Sequence, residues 1–212
     1  MPDVTKALEL AHRLSSAVSD QRALAAIASL PRERFVPDSE RSRAYENVAL
    51  PIACGQTISQ PLVISRMLEL LAPSFDDRVL DIGTGSGYHA ALLALLGGHV
   101  WTIERHAKLS EHARSVIEEL GIDNVTFVVG NGWEGLPEEA PFEAINVAAA
   151  TGGEVPVALE QQLASGGRLV APVGEMSQHL MLTRREPSGF RRVQLEAVRF
   201  VPLVRESDEH GD

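Results

Sequence analysis

The sequence Asp81-Ile82-Gly83-Thr84-Gly85-Ser86-Gly87 stands between a strand-like apolar run at residues 78–82 and a helical stretch at residues 88–96. Glycines at such a turn let the backbone approach a ligand and enter the next helix tightly. A strand, a glycine loop and a helix in this order predict the first unit of a parallel α/β sheet. In such sheets a nucleotide-type ligand binds at the carboxyl ends of the strands.

The spacing of the glycines separates this loop from other nucleotide-binding loops. The dinucleotide fingerprint is G-x-G-x-x-G, whereas here the glycines follow G-x-G-x-G and Tyr88 comes next. No Gly-Lys-Ser/Thr sequence follows, which excludes a Walker loop. Glu104 ends the second strand roughly 20 residues further on, where a carboxylate can bind both hydroxyls of a ribose. The alternative is a plain strand–turn–helix that binds no ligand.

Outside the loop, the apolar pattern predicts an α/β protein with a doubly wound, mostly parallel sheet. Strands are predicted at residues 78–82, 100–103, 125–129, 144–148, 168–173, 180–183 and 193–204. Helices are predicted at residues 4–18, 21–30, 61–71, 88–96, 109–120 and 156–163. The last strands have no helix between them, which predicts an antiparallel C-terminal edge. We expect a single domain over residues 1–204, with a helical segment at 1–60 packed on the sheet and an acidic tail at 205–212.

Composition and charge limit the functional classes. The chain has 212 residues, 44% of them apolar, which is typical of one globular domain. A net charge of −10 repels phosphate, so we expect no nucleic-acid partner. Cys54 is the single cysteine and the histidines show no metal-binding spacing, so we expect neither an intrachain disulfide nor a metal site. No apolar run reaches the length of a membrane span, and a cytoplasmic protein without a membrane partner is predicted.

Several longer motifs extend along nearly the whole chain. They are Arg32-Glu33-Arg34-Phe35-Val36-Pro37, Ala44-Tyr45-Glu46-Asn47-Val48-Ala49-Leu50-Pro51-Ile52, Gly55-Gln56-Thr57-Ile58-Ser59-Gln60-Pro61, Gly130-Asn131-Gly132-Trp133 and Arg199-Phe200-Val201-Pro202-Leu203. The glycine loop with Glu104 resembles the S-adenosylmethionine-binding sheet of class I methyltransferases. Together with the longer motifs, it resembles the protein-L-isoaspartate (D-aspartate) O-methyltransferase family. The G-Q-T-I-S-Q-P and R-F-V-P-L motifs are specific to that family, whereas the glycine loop is not.

This resemblance implies a Rossmann-like fold and a protein repair methyltransferase. The cofactor would be S-adenosyl-L-methionine, the product S-adenosyl-L-homocysteine, and the substrate the α-carboxylate of L-isoaspartyl and D-aspartyl residues in damaged proteins. The active-site role falls on Ser59. The implied cofactor-binding residues are Thr57, Ile58, Asp81, Gly83, Thr84, Gly85, Gly87, Glu104, Asn131 and Gly132. The implied substrate-binding residues are Ser59, Gln60, Val201, Pro202 and Leu203, in a monomer whose partners are isoaspartyl peptides and proteins.

The implied reaction needs few catalytic groups. A carboxylic acid with a pKa of about 4 is already ionised at neutral pH, so no strong general base is required. Catalysis then reduces to holding a carboxylate oxygen in line with the methyl group in a dry site.

Ser59, Asn131 and the function each have an alternative interpretation. Ser59 stands just before Pro61, so its hydroxyl can serve simply as a helix cap. Asn131 occupies a position where the family commonly has Asp. Its side-chain oxygen can accept a hydrogen bond from an adenine amine, or the Asn-Gly pair can form an ordinary turn. The alternative functions are methylation of another peptide or small-molecule carboxylate and a non-catalytic cofactor-binding module.

Overall fold

Nine strands form the β-structure of the chain, in a computed structural model that describes residues 4–204. They are β1 Leu50–Pro51, β2 Thr57–Ile58, β3 Arg78–Ile82, β4 His99–Glu104, β5 Val125–Val129, β6 Phe142–Val147, β7 Leu163–Val173, β8 Gln178–Glu186 and β9 Gly189–Val198. The first two form a small antiparallel hairpin, and the other seven form one sheet in the order β5-β4-β3-β6-β7-β8-β9. Strands β3 to β7 pair in parallel, whereas β8 and β9 add in antiparallel. The predicted sheet and its antiparallel C-terminal edge are confirmed.

Helices and apolar side chains cover the two faces of this sheet unequally. The helices are α1 Val4–Leu14, α2 Gln21–Ser29, α3 Pro61–Leu71, α4 Tyr88–Leu96, α5 Ala107–Glu119 and α6 Val157–Gln161. One buried cluster joins residues of α1 to α5 to Val79 of β3. The other joins Leu80 of β3 to Leu159 of the short α6. Adjacent strand residues point to opposite faces, so β3 is buried on both sides, as parallel strands generally are.

Several predicted elements are wrong in extent. The helix predicted at 4–18 ends at Leu14, and the strands predicted at 168–173 and 180–183 are longer, as β7 and β8. The predicted helix at 156–163 is only α6, because Leu163 already begins β7. The predicted strand at 193–204 stops at Val198. Beyond it, the Ala150 N–H donates to the Val201 carbonyl and the Leu203 N–H donates to the Ala150 carbonyl, both at 2.8 Å. Proline at 202 has no N–H for a sheet ladder, and this segment instead lies against the chain that follows β6.

The parallel register brings three polar residues side by side inside the sheet. Asp81 on β3 lies opposite both Thr102 on β4 and Asn146 on β6. All three side chains are fully buried. Asp81 stands two residues before Gly83. The buried side chains of the sheet therefore lie next to the glycine loop and support it.

The predicted acidic tail at 205–212 lies outside the described residues. Within residues 4–204, no helix combines the length and the apolar character that crossing a bilayer requires.

Candidate active site

A cavity of about 490 Å³ opens at the carboxyl edge of the sheet. Its wall combines the ends of β3 and β4 with residues of the β1–β2 hairpin and of the segment after β9. Pockets for small ligands typically measure roughly 300–1,000 Å³, so the cavity is large enough for a small-molecule ligand. Nine predicted site residues line the cavity: Thr57, Gly83, Gly85, Glu104, Asn131, Gly132, Val201, Pro202 and Leu203.

The other six predicted site residues lie outside this lining: Ile58, Ser59, Gln60, Asp81, Thr84 and Gly87. Gly87 faces α5, where a Cβ added to it would come within 2.8 Å of the Ala113 Cβ. Its φ of +87° also disfavours any other residue. Gly87 therefore allows the start of α4 to lie close to Ala113 of α5, and the prediction that it contacts the cofactor stays a prediction.

Glu104 is held in position by the backbone on either side of the cavity. Its Oε2 accepts a hydrogen bond from the Gly85 N–H at 2.9 Å, and its Oε1 accepts one from the His106 N–H at 3.0 Å. An ionised carboxylate has about four acceptor sites, so each oxygen keeps capacity for a ligand hydroxyl. These acceptor sites fit the two hydroxyls of a ribose, and the carboxylate is already oriented.

Asp81 acts below the loop rather than in the cavity. Its Oδ1 accepts a hydrogen bond of 2.7 Å from the Asn146 amide, and its Oδ2 accepts one of 2.7 Å from the Thr102 hydroxyl. The Thr84 hydroxyl then donates to Thr102 at 2.6 Å, because the single proton of Thr102 is already used. Burial raises the Asp81 pKa to about 6, although both hydrogen bonds oppose that shift. This chain of contacts ties the loop residue Thr84 to the sheet.

Asn131 lines the cavity while forming a local turn. Its Oδ1 accepts a hydrogen bond from the Trp133 N–H at 3.0 Å, and its Nδ2 donates to Glu134 at 3.2 Å. Such a contact two residues ahead is an Asx turn, so the turn alternative is observed. A second lone pair on Oδ1 leaves the predicted contact with an adenine amine open. The Trp133 indole N–H donates to the Leu203 carbonyl at 3.1 Å, which joins this turn to the C-terminal segment.

Ser59 does not cap α3. The N-cap residue is Gln60, whose side chain makes no capping bond. The cap comes from Asn47, whose Oδ1 accepts a hydrogen bond from the Leu62 N–H at 3.0 Å. The main-chain carbonyl of Ser59 instead accepts a hydrogen bond of 2.8 Å from the Arg32 guanidinium. Its hydroxyl is thus not needed for the helix terminus.

Sequence reasoning missed several residues of this site. Gln56, His106 and Ala148 line the cavity, and Thr102 and Asn146 support the loop. The signal for the last two was available: each is a polar residue in an otherwise apolar strand, at the register of Asp81. The lining contributed by Ala148 carries no such signal.

The geometry defines a class of protein. A parallel sheet whose first loop is G-x-G-x-G, with an oriented carboxylate ending the neighbouring strand, is the cofactor-binding arrangement of class I S-adenosylmethionine-dependent methyltransferases. The family model described as protein-L-isoaspartate(D-aspartate) O-methyltransferase matches residues 5–208. This chain belongs to that family.

Individual relatives agree with this assignment. A protein-L-isoaspartate O-methyltransferase from Aeromonas hydrophila subsp. hydrophila is 51% identical over 187 residues, which are 88% of this chain and 91% of that protein. One from Shewanella loihica is 49% identical over 201 residues, 94% of this chain and 95% of that protein. A solved protein-L-isoaspartate O-methyltransferase structure superposes with a TM-score of 0.83 at 30% identity, over 92% of this chain and 64% of that longer chain.

A second solved structure is similar in fold. It is a Plasmodium falciparum protein crystallised with S-adenosyl-L-homocysteine, with a TM-score of 0.81 at 24% identity, over 93% of this chain and 98% of that chain. At this identity the likeness extends to the fold alone.

Proposed function

We propose that this protein transfers a methyl group from S-adenosyl-L-methionine to the α-carboxylate of L-isoaspartyl and D-aspartyl residues in damaged proteins. One observation carries the proposal. Thr57 of the G-Q-T-I-S motif and Val201-Pro202-Leu203 of the R-F-V-P-L motif line the same cavity as Gly85 and Glu104. The motifs specific to the family and the residues typical of the cofactor site thus enclose one space.

The cofactor side of the cavity has donors and acceptors of the required kind. Glu104 would bind the ribose hydroxyls, and Gly83 and Gly85 let the backbone lie close to the ligand. Gly132 leaves no room for a larger residue, because a Cβ there would lie 2.6 Å from Ile82 and 3.2 Å from Leu203. When bound, S-adenosyl-L-methionine supplies a methyl group activated by its sulfonium sulfur.

The residues of the chain have to orient the acceptor rather than deprotonate it. An α-carboxylate with a pKa of about 4 is ionised at neutral pH. Ser59 would donate its hydroxyl proton in a hydrogen bond to one carboxylate oxygen, which fixes the acceptor without abstracting a proton. Holding an acceptor in a near-attack geometry can contribute several kcal/mol to lowering a barrier.

Two segments contribute to the wall of the cavity. The β1–β2 hairpin places Ile52 over the glycine loop, where its Cδ1 lies 3.7 Å from the position of a Cβ on Gly85. The segment after β9 forms another part of the wall, where its bonds with Ala150 hold it. Excluding water strengthens the polar interactions within the site.

The test is methyl transfer to a peptide with one isoaspartyl linkage, beside the peptide with normal aspartate at that position. We expect base-labile methyl esters on the first peptide and none on the second. A D-aspartyl peptide tests the second part of the specificity. Transfer to free carboxylic acids but not to the isoaspartyl peptide would support the alternative methyltransferase. Cofactor binding without transfer to any acceptor would support the non-catalytic module.

We extend the proposal to a monomer that acts in the cytoplasm on proteins. Its net charge of −10 disfavours binding to nucleic acid and to anionic lipid surfaces. Sedimentation at several concentrations tests the monomer, and fractionation of cells that express the full chain tests the location.

A further inference from the structure

Arg32 is a buried cation that makes no ion pair with a carboxylate among residues 4–204. Its side chain is 0% exposed. Its Nε donates to the Ala44 carbonyl at 2.9 Å and its Nη2 donates to the Ser59 carbonyl at 2.8 Å. Nη1 has no hydrogen-bond partner, and within residues 4–204 no carboxylate oxygen hydrogen-bonds to this guanidinium. Burying an unpaired charge is costly, so this position calls for a reason.

The groups that face Arg32 leave its charge in place. The Tyr88 ring of α4 lies against it, with 4.9 Å between the guanidinium carbon and the ring centroid. Burial raises the pKa of Tyr88 to about 12, and burial also raises the pKa of Tyr45, whose hydroxyl donates to Glu33. Both phenols are therefore neutral. Burial lowers the Arg32 pKa to about 10, so the guanidinium itself stays protonated at neutral pH.

The bond from Arg32 to Ser59 also fixes the peptide unit that joins Ser59 to Gln60. In a trans peptide the C=O and the N–H point in opposite directions. With the Ser59 carbonyl held on Arg32, the N–H of Gln60 points away from the buried cation. A hydrogen bond from a charged donor polarises the unit that accepts it. The orientation and the charge thus both favour an anion on the Ser59–Gln60 side.

We propose that Arg32 is a positioning residue for the methyl acceptor, which fixes the Ser59–Gln60 peptide unit and supplies the positive charge that favours an ionised acceptor carboxylate beside Ser59. The inference rests on the proposed function. It does not make Arg32 a catalytic residue, because its side chain is fully buried and does not line the cavity.

A purely structural role for Arg32 is the competing explanation, and Arg22 shows what such a role looks like. Arg22 also bridges two carbonyls, those of Pro73 and Leu96, both at 2.8 Å, and also lies over an aromatic ring, that of Phe75. It is solvent-exposed, and both of its carbonyl partners lie outside the Gly55–Pro61 motif that contains Ser59. Arg22→Gln is therefore the matched control for Arg32→Gln.

The test compares Arg32→Gln, Arg32→Lys and Arg22→Gln with the wild-type chain, using an isoaspartyl peptide as acceptor. We expect Arg32→Gln to lower kcat/KM for the peptide by roughly 10-fold to 100-fold, the range for loss of a charged hydrogen bond. Its KM for S-adenosyl-L-methionine should stay within about twofold of the wild-type value, because Arg32 does not line the cofactor cavity. The acid limb of its kcat–pH profile should move to higher pH, because the bound carboxylate is then harder to ionise.

Arg32→Lys gives a second readout if the glutamine variant does not fold. A buried lysine has a depressed pKa, unlike arginine. This variant should keep the wild-type acid limb but lose activity as the pH rises through the lowered lysine pKa. The wild-type protein should show no such alkaline loss. If Arg32 has only a structural role, the pH profile of Arg32→Lys should show no additional loss of activity at alkaline pH.

Two results would overturn the inference. One is a destabilised Arg32→Gln with wild-type kcat, KM and pH profile for the peptide, as expected of Arg22→Gln. The other is an Arg32→Lys whose profile matches the wild type at every pH. If instead the wild-type chain itself fails to methylate the isoaspartyl peptide, the proposed function fails, and the two failures are thereby distinguished.

Discussion

The Asn146 amide donates a hydrogen bond of 2.7 Å to the Asp81 carboxylate and approaches Nδ1 of His89 at 3.2 Å. Since the amide donates in both contacts, Nδ1 accepts and the proton of the neutral imidazole is on Nε2. One buried amide thus links a carboxylate under the glycine loop to a histidine of α4. Both of these groups have shifted pKa values, in directions that give opposite pH dependences.

Asp81→Asn should become more stable relative to the wild type as the pH rises. The Asp81 pKa is raised from 3.8 to about 6 by burial. Between these values the folded state binds more protons than the unfolded state, so the Asp81 contribution to stability falls as the pH increases. Asparagine does not titrate, and Thr102 can accept from its amide while donating to Thr84. Urea unfolding at pH 4 and pH 7 should show a relative gain of up to about 3 kcal/mol at pH 7. Equal differences at the two pH values would contradict this.

His89→Asn should reduce the loss of stability that the wild-type protein shows as the pH falls. Burial lowers the His89 pKa from 6.5 to about 3. Here the unfolded state binds more protons within that window, so wild-type stability is lost as the pH falls through it. Asparagine keeps an acceptor near the Nδ1 position but takes up no proton. Between pH 7 and pH 5 the variant should lose about 2 kcal/mol less than the wild type, although a cavity lowers its stability at pH 7.

Glu104→Ala should weaken binding of S-adenosyl-L-methionine and S-adenosyl-L-homocysteine by ~1–3 kcal/mol, the range for hydrogen bonds to a charged group. The wild-type protein should bind both ligands and should not bind NAD, since its loop lacks the dinucleotide glycine spacing. Calorimetric titration measures these affinities. Binding of NAD, or no heat of binding with either adenosyl ligand, would contradict the cofactor assignment. Because alanine also frees the N–H groups of Gly85 and His106, a thermal melt should accompany each titration.

Asn131→Asp should leave cofactor affinity unchanged or increase it, because a carboxylate is a stronger acceptor for an adenine amine. The Asx turn to Trp133 needs only an oxygen and survives the change. The bond from the Asn131 amide to Glu134 is lost, however, and two carboxylates then face each other. Asn131→Asp combined with Glu134→Gln removes that repulsion and is the control. A tenfold loss of affinity in the double variant would show that Asn131 donates to the ligand.

The sequence was most informative where local pattern and local structure coincide. The strand at 78–82, the glycine loop and the helix at 88–96 have the predicted limits, because apolar runs and glycines determine them locally. The path of residues 199–204 could not be predicted in this way. Val201 and Leu203 alternate with other residues as in a strand, yet their backbone partner is Ala150, which is distant in sequence.

The supporting contacts of the site were the least predictable part. Arg32 belongs to a motif that resembles the family, but nothing in its spacing shows that it reaches the Ser59 carbonyl. The cap of α3 could not be predicted either, because it too is a long-range contact. The preceding serine is the expected cap from local sequence, whereas the tertiary structure brings Asn47 to that position. Long-range contacts of single side chains carry no periodic signal.

Ser59→Ala should reduce methyl transfer to an isoaspartyl peptide far more than it affects folding or cofactor affinity. If its hydroxyl orients the acceptor carboxylate, its removal costs roughly 10²–10³ in rate, as for other single donors to a reacting oxygen. Stability should change little, because the α3 cap comes from Asn47 and the Ser59 contact with Arg32 uses the main-chain carbonyl. Single-turnover assays and thermal melts on one preparation measure both effects.

Asn47→Ala is the matched control for this variant, because it removes the actual cap and leaves Ser59 in place. It should cost about 1 kcal/mol of stability, the typical value of an N-cap, while the rate of transfer stays close to that of the wild type. The two variants therefore separate capping from catalysis in opposite directions. A Ser59→Ala protein that is destabilised but transfers methyl groups at the wild-type rate would end the catalytic assignment. In that case the acceptor must be held by other groups of the same segment, of which the Gln60 N–H, oriented through Arg32, is the first to test.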